Sequence, residues 1–261
     1  MSHYQAHMAE AENIRANIYN CSGCKLRESN RVPFGGVTWA PKLILLGEAP
    51  GASEDAAGEP FVGRAGHILE NMLAKVGLGR HHVMLVNSVN CRPPGNRDPQ
   101  QDEIDACTVH RKLQIQLGRT WVGMTLGRIA LSVIKNDPGI PIGAWKGRPF
   151  WDGDMCWVPT YHPAHVARNK GAEPEVIAHM LQALRLVKGE EEPPRPKGSG
   201  WRMERGCLIL DHEDVIAPDK IVALARTTFT LPEWAKLKYS SKETWDAAIL
   251  AREQLGATVV S

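Results

Sequence analysis

A short apolar run that empties into a long, acidic, glycine-rich loop constrains this chain more than any other stretch. Leu43-Ile44-Leu45-Leu46 reads as a buried strand. It runs into Gly47-Glu48-Ala49-Pro50-Gly51-Ala52-Ser53-Glu54-Asp55 and on through Gly58-Glu59-Pro60-Phe61-Val62-Gly63-Arg64-Ala65-Gly66. Beyond the loop, Ile68, Leu69, Met72, Leu73 and Val76 recur at helical spacing. In an open α/β sheet, loops of this kind lie outside the carboxyl ends of the strands, where ligands bind. Glycines let backbone N–H groups come close to a ligand, which a Cβ would obstruct. Plain connectors usually take ~2–6 residues. A longer one carrying Glu48, Glu54, Asp55 and Phe61 is a candidate site.

The rest of the chain repeats the strand–helix order. Val83–Val86, Trp121–Thr125 and Met155–Thr160 read as further strands, and helices are expected at about 3–19, 65–77, 101–117, 126–134 and 173–187. In the first of these, Ala6, Ala9, Ile14 and Ile18 supply the apolar positions. Arg92–Pro99 holds three prolines and a glycine and is excluded from regular structure. Tyr161–Arg168 reads as a loop. The alternation predicts a three-layer α/β/α domain over 1–188 with a central, parallel, four-stranded sheet. Residues 189–200, rich in Glu, Pro, Gly and Ser, have the composition of a linker. A small unit follows at 201–261, with a strand at Cys207–Leu210, helices at about 218–226 and 241–255, and a terminal strand at 257–260. The second of those helices opens on a capping box of Ser240 and Glu243.

Composition narrows the function. No apolar run is long enough to span a membrane and no signal-peptide pattern opens the chain, so a cytoplasmic protein without a membrane partner is expected. A net charge of only +2 means that any nucleic-acid surface must be local. Six cysteines in such a chain point to metal ligands or buried thiols before disulfides. Cys21-x-x-Cys24 can grip one metal centre from a single turn, and Cys91 and Cys107 complete a set of four thiolates. Four thiolates suit zinc or an iron–sulfur cluster. The wide 91-to-107 separation leans toward a bulky cluster, while buried thiols at Cys91 and Cys107 remain the alternative. Cys156 falls in a strand and is expected in the core.

The ordered motifs resemble those of the iron–sulfur uracil-DNA glycosylases, family 4. They are Cys-x-x-Cys-x-Leu at 21–26, Gly-Glu-Ala-Pro-Gly with Glu-Asp at 47–55, and Pro-Phe-Val-Gly-x-Ala-Gly at 60–66. Asn87, Cys-Arg-Pro-Pro-x-Asn-Arg at 91–97, Cys107, Leu126-Gly127 and His162-Pro163 follow. The resemblance covers about 14–187 and implies that Cys21, Cys24, Cys91 and Cys107 ligate a [4Fe–4S] cluster. It implies base-excision repair by hydrolysis of the N-glycosidic bond of deoxyuridine in single- or double-stranded DNA. The family's His-Pro-Ser stands here as His-Pro-Ala, with Ala164.

The resemblance implies roles for the matching residues, and the chemistry supports them. A glycosylase takes its base out of the stack, and Phe61 offers the aromatic face for it. Uracil presents N3–H as donor and O4 as acceptor, which the one carboxamide of Asn87 satisfies. Bond cleavage leaves negative charge on uracil, largely at O2, and His162 stands where the family has a hydrogen-bond donor to that atom. Glu48 is expected to shape the pocket and orient water, with Glu54 second, and the backbone near Ala49 to line the pocket. Around His165, Val166 is expected to wedge into the emptied stack while Arg168 and Lys170 meet phosphates. A rival reading makes the chain a non-catalytic DNA-binding module of a larger replication protein, attached through 201–261. Relatives that bond covalently to uracil-DNA carry a basic, His-containing insertion that 92–106 lacks.

Overall fold

The computed structural model describes residues 2–36 and 38–191, together with the backbone of 201–204 and 207–210. The chain divides into two compact units, Met1–Val187 and Lys188–Ser261. In the second, β7 (Trp201–Glu204) and β8 (Cys207–Leu210) pair antiparallel. The expected strand at 207–210 is therefore present, whereas the elements expected at 218–226, 241–255 and 257–260 lie outside the described residues. Among the described residues no helix is long and apolar enough to cross a membrane.

The first unit is built on β2 (Leu43–Gly47), β3 (Val83–Asn87), β4 (Val122–Leu126) and β6 (Met155–Thr160). These four run parallel in the order β3-β2-β4-β6. Almost every residue in them is buried, which is why they read as continuous apolar runs instead of alternating ones. Two short antiparallel strands close the edges, β1 (Gly35–Gly36) on β3 and β5 (Phe150–Asp152) on β6. The sheet is thus six-stranded and mixed, not four-stranded and parallel. Strands of two and three residues are too short to carry a readable hydrophobic period. β4 and β6 approach closely: a Cβ on Gly123 would lie 2.5 Å from the Trp157 ring of its register partner.

Helices cover both faces. α1 (His3–Tyr19) opens on a reciprocal cap in which Gln5 N–H donates to Ser2 Oγ at 3.2 Å and Ser2 N–H to Gln5 Oε1 at 2.9 Å. Its buried face is His7, Ala11, Ile14 and Ile18; Ala6 and Ala9 face solvent. α2 (Ala52–Ala57) and α3 (Arg64–Lys75) lie between β2 and β3, and α6 (Arg128–Lys135) and α7 (Ile142–Trp145) lie between β4 and β5. α8 (Pro163–Arg168) and α9 (Glu173–Lys188) follow β6.

The expected helix at 101–117 is two, α4 (Gln101–Ala106) and α5 (Thr108–Leu117), broken at Cys107. The side chains of Thr108 and Arg111 bond the Ile104 carbonyl at the break, at 3.1 and 3.4 Å. Two expected loops hold helices. Gly51 caps α2, and Gly58, at φ +72°, ends it within the long loop. α8 replaces the loop expected at 161–168: Pro163 presets its first turn, and the His162 ring caps it. Histidine is not among the usual capping residues, so the sequence hid this start. The Arg92–Pro99 segment holds only a single 3₁₀ turn at Pro94–Asn96.

Candidate active site

The chain leaves β2 for β3 on one side of the sheet and later reaches β4 on the other. The carboxyl ends of β2 and β4 therefore flank a topological switch point, the usual crevice of an open α/β sheet. Register puts Asn87, the last residue of β3, beside Gly47, the last of β2. A Cβ on Gly47 would lie 2.5 Å from Asn87 Oδ1 and 2.5 Å from Phe61 Cζ. Glycine there lets the carboxamide and the aromatic ring converge over the strand ends. Asn87 is only 4% exposed, and among the described residues nothing hydrogen-bonds its carboxamide. A buried amide of that kind is poised for a ligand.

Phe61 is held in a strained backbone conformation, φ +57°, that non-glycine residues rarely adopt. Its neighbours hold it there. Arg80 donates to the Pro60 carbonyl at 2.6 Å and to the Phe61 carbonyl at 3.1 Å. Gly66 of α3 packs so closely that a Cβ would sit 1.9 Å from the Phe61 carbonyl oxygen. The Phe61 and His162 rings lie 6.3 Å apart, tilted by 32°.

His162 follows the end of β6. Its Nδ1 accepts the Ala164 N–H at 3.2 Å, so the neutral ring carries its proton on Nε2. Burial, aided by the Arg168 charge, pulls its pKa down to about 4, while Glu54 opposes the shift. The result at neutral pH is an uncharged ring with one donor free for the crevice. Gly127, at φ +92°, makes room for it; a Cβ there would be 2.9 Å from the His162 Cβ.

The two glutamates differ. Glu48, one residue past β2, is half-buried; its pKa is raised by burial and by Asp98, and lowered by Arg128. Asp98 and Arg128 themselves pair at 2.5 Å. Glu54 has both carboxylate oxygens engaged by backbone, accepting Gly51 N–H at 3.1 Å and Gly63 N–H at 2.7 Å. It clasps the two ends of the α2 loop. Ala49 is half-buried and packs against the Leu26, Val89 and Ile104 cluster.

On α8, His165 stacks on Tyr161 with ring centroids 4.5 Å apart, and Arg168 is exposed. Val166 is 4% exposed, whereas a wedge into DNA needs an exposed tip, so this conformation does not present it as one.

The four expected thiol ligands lie outside this crevice. Cys24, Cys91 and Cys107 pack against the Leu26, Val89 and Ile104 cluster. Burial pushes the Cys91 thiol up to about 12, with Cys107, Cys24 and Cys21 adding to the rise. Cys107 is pushed to about 11, again chiefly by burial. Asn90 N–H points at Cys107 Sγ at 3.3 Å and Gly23 N–H at Cys21 Sγ at 3.5 Å. Among the described residues, no three His, Cys, Asp or Glu side chains gather tightly enough for one metal ion. Cys156 is fully buried in β6.

Residues to which the sequence reading gave no role of their own hold this geometry. They are Gly47, Arg80, the Asp98–Arg128 pair and the bidentate Arg97–Glu103 pair, 2.9 and 2.6 Å, around the fully buried Glu103 carboxylate. The glycine was legible only as a loop start; the ion pairs and the Arg80 bonds join positions whose spacing leaves no pattern.

The crevice at the switch point of this α/β domain brings together an aromatic face, an unpaired carboxamide and a neutral histidine donor. Comparison with known proteins places the chain in a family. A family model of the uracil DNA glycosylase superfamily matches residues 34–185. The chain is 38% identical over 210 residues to a type-4 uracil-DNA glycosylase of Saccharolobus solfataricus, covering 74% of this chain and 94% of that protein. It is 35% identical over 183 residues to one from Thermotoga maritima, covering 69% and 95%. A third, from Sulfurisphaera tokodaii, is 38% identical over 172 residues, covering 62% and 78%. The chain belongs to the uracil-DNA glycosylase superfamily, among its type-4 members.

Proposed function

We propose that this chain hydrolyses the N-glycosidic bond of deoxyuridine in DNA, releasing uracil as a cytoplasmic enzyme of base-excision repair. The convergence of Phe61, the unpaired Asn87 carboxamide and the neutral, Nε2-protonated His162 at one strand-end crevice carries the reading. The flipped base stacks on Phe61. Asn87 Nδ2–H donates to uracil O4, and Oδ1 accepts from N3–H. As the C1′–N1 bond breaks, its electron pair passes to the base, and His162 Nε2–H donates to the charge growing at O2. An imidazolium would be costly to bury here; the neutral ring stabilises the anion without transferring its proton. Glu48 orients a water onto the cationic sugar carbon and receives its proton. Glu54 positions the loop through the Gly51 and Gly63 N–H groups and, with a second lone pair left on each oxygen, stands second to Glu48 for the water. The backbone at Ala49 lines the pocket, and His165, Arg168 and the segment around Val166 face the DNA.

Cys21, Cys24, Cys91 and Cys107 would hold a [4Fe–4S] cluster. The all-thiol donor set, the apolar wall and the N–H groups aimed at sulfur support this. A single zinc ion would draw its thiolates to ~3.8 Å from one another, from Zn–S bonds of ~2.3 Å. When bound, the cluster supplies cross-links between loops that share no strand. The expectation that 201–261 engages a replication protein rests on the linker composition preceding it.

Single-turnover cleavage of matched uracil and cytosine oligonucleotides tests the function. Cytosine reverses both groups facing Asn87, at ~1–3 kcal/mol for each mismatched group, so uracil is expected to win by at least ~100-fold. Asn87→Asp is expected to narrow that ratio sharply. DNA binding with no base release would select the non-catalytic module instead.

A further inference from the structure

The buried carboxamide of Asn87 has no hydrogen bond among the described residues, so its direction is set by the backbone on either side of it. Across the sheet, register holds it beside Gly47. Along the chain, the next residue is tied at three points. Ser88 N–H and Oγ–H both donate to the Gly47 carbonyl, at 3.0 and 2.8 Å, and the Ser88 carbonyl accepts Arg111 Nη1–H at 3.0 Å. Ser88 and Arg111 are both buried.

Arg111 stands on the side of α5 that faces this segment. Cys107, Arg111 and Gln114 are four and three residues apart, the spacing of one helix face. Gln114 exchanges two hydrogen bonds with the Asn90 carboxamide, both 3.2 Å, and Asn90 N–H points at Cys107 Sγ. That face therefore grips the run between Asn87 and Cys91.

Among the described residues no carboxylate pairs with Arg111. Its other bonds go to neutral oxygens, the Ile104 carbonyl at 3.4 Å and Thr108 Oγ1 at 3.0 Å. Burial works against its charge, while Cys107 and the exposed Asp105 favour it. Burying a cation without a paired anion is costly. The gain is a rigid fork that joins the Ser88 carbonyl to two groups at the break between α4 and α5, which no neutral side chain of that length can do.

We propose that Arg111 is a positioning residue for base discrimination: it holds the Ser88 carbonyl and thereby fixes the angle at which Asn87 presents its carboxamide to the base. This role rests on the glycosylase reading, which supplies the base. It makes the helix break at Cys107 part of the reading device, because one guanidinium ties that break to the residue beside Asn87.

A double-mutant cycle on the full chain, produced with adequate iron, tests this by single-turnover release from matched uracil and cytosine oligonucleotides. Arg111→Met keeps the length and removes the fork. It should lower the uracil-to-cytosine ratio by about 10-fold, a coupling ordinary for residues in one network. Absorbance near ~400 nm should stay native, which separates this loss from loss of the thiol centre. In an Asn87→Ala background the same substitution should leave the ratio unchanged, because Arg111 acts through Asn87. An equal loss in both backgrounds overturns the proposal. Thr108→Val removes one partner of the fork and should lower the ratio in the same direction by less. Where Arg111→Met does not fold, a native ratio in Thr108→Val overturns the proposal instead. Amide hydrogen exchange without DNA keeps the two readings apart. Arg111→Met should speed exchange at the Ser88 and Val89 N–H groups, and unchanged exchange removes Arg111 from this role even where uracil release is normal. Faster exchange in a chain whose native form releases no uracil keeps the tie between Arg111 and Asn87 and sinks the glycosylase reading.

Discussion

Asn87 and Cys91 stand four residues apart, yet the regions they serve are built by different means. The base crevice is fixed by sheet register. Gly47, Asn87, Gly127 and His162 sit at or just beyond the ends of parallel strands, and two glycines permit the close approaches. Among the described residues the thiol region has no strand of its own beyond an isolated bridge between Arg31 and Cys91. Side chains bonded to backbone hold it: Arg31 to the Cys21 carbonyl at 2.7 Å, Arg111 to the Ser88 carbonyl at 3.0 Å, and Asn90 to the Val32 carbonyl at 3.0 Å. Asp55 ties the two regions, accepting Asn30 N–H at 2.9 Å. A sheet keeps its geometry through many cooperative bonds. A loop assembly held by single side chains gains most from a cross-link, which is the part proposed for the four thiols.

The largest effect should therefore come from the thiol side. Cys91→Ala is expected to abolish the yellow-brown colour of an iron–sulfur protein and most of the soluble yield, because the cross-link is what loops without a ladder lack. Iron content and absorbance near ~400 nm measure this. Stoichiometric zinc in native protein grown with adequate iron would refute the cluster.

On the crevice side, loss of function should come without loss of fold. His162→Ala is expected to slow single-turnover base release by ~10²–10³-fold, the usual cost of one preorganised donor, while binding to DNA changes little. The pH dependence carries a sign. With a pKa of about 4, the ring stays a neutral donor as pH falls, so no imidazole limb should appear near ~6.5. The native state also binds this proton less readily than the unfolded chain does. Stability from His162 is complete above ~6.5 and lost as pH falls toward about 4. His162→Ala should flatten that part of the stability curve. A near-native release rate in the variant would remove His162 from the mechanism.

The same contrast explains what was legible in the sequence. The parallel strands were legible because both faces are buried; Phe61, Asn87 and His162 could be singled out as candidates because each stands in a glycine-rich loop or at a strand end, while the short helix α2 inside the loop at 47–66 could not be read. The kink at Cys107, the helix capped by His162 and the two edge strands were not legible either. Their causes are tertiary: a carbonyl bonded by Arg111, an unusual cap, and pairing too short to leave a period. The second role of Glu54 was also hidden. A glutamate three residues after Gly51 fits a cap as well as a catalytic acid, and the sequence pattern carries no sign of its second bond, from the Gly63 N–H.

Glycine substitutions compare the two regions directly. Gly47→Ala forces a Cβ to within 2.5 Å of both Asn87 Oδ1 and Phe61 Cζ. Overpacking of this kind costs ~1–3 kcal/mol and should lower the melting temperature while eroding the uracil-to-cytosine ratio. Gly23→Ala, beside Cys21, meets only the Sγ at 3.6 Å, an ordinary separation, and should be tolerated. Equal effects from the two would show that the crevice is no more tightly specified than the loops.

The smallest effect probes how the regions communicate. Asp98 belongs to the loop between Cys91 and Cys107, and its own carbonyl is bonded by Arg97 at 3.0 Å. Its carboxylate reaches the crevice, pairing with Arg128 and raising the Glu48 pKa. In the proposed mechanism Glu48 is ionised to orient and deprotonate water, so the acid limb of the release rate should lie above the ordinary carboxylate range, with burial the larger cause. Asp98→Asn removes the neighbouring negative charge and leaves Arg128 uncompensated. Both changes favour the Glu48 carboxylate, so the limb should move to lower pH, though only in part because burial is untouched. Arg128→Met leaves Asp98 unpaired beside Glu48 and should move the limb to higher pH. Single-turnover pH profiles of the three proteins measure the shifts. Opposite displacements would tie the thiol-side loop to the crevice through one carboxylate, and identical profiles would remove Glu48 from the water step.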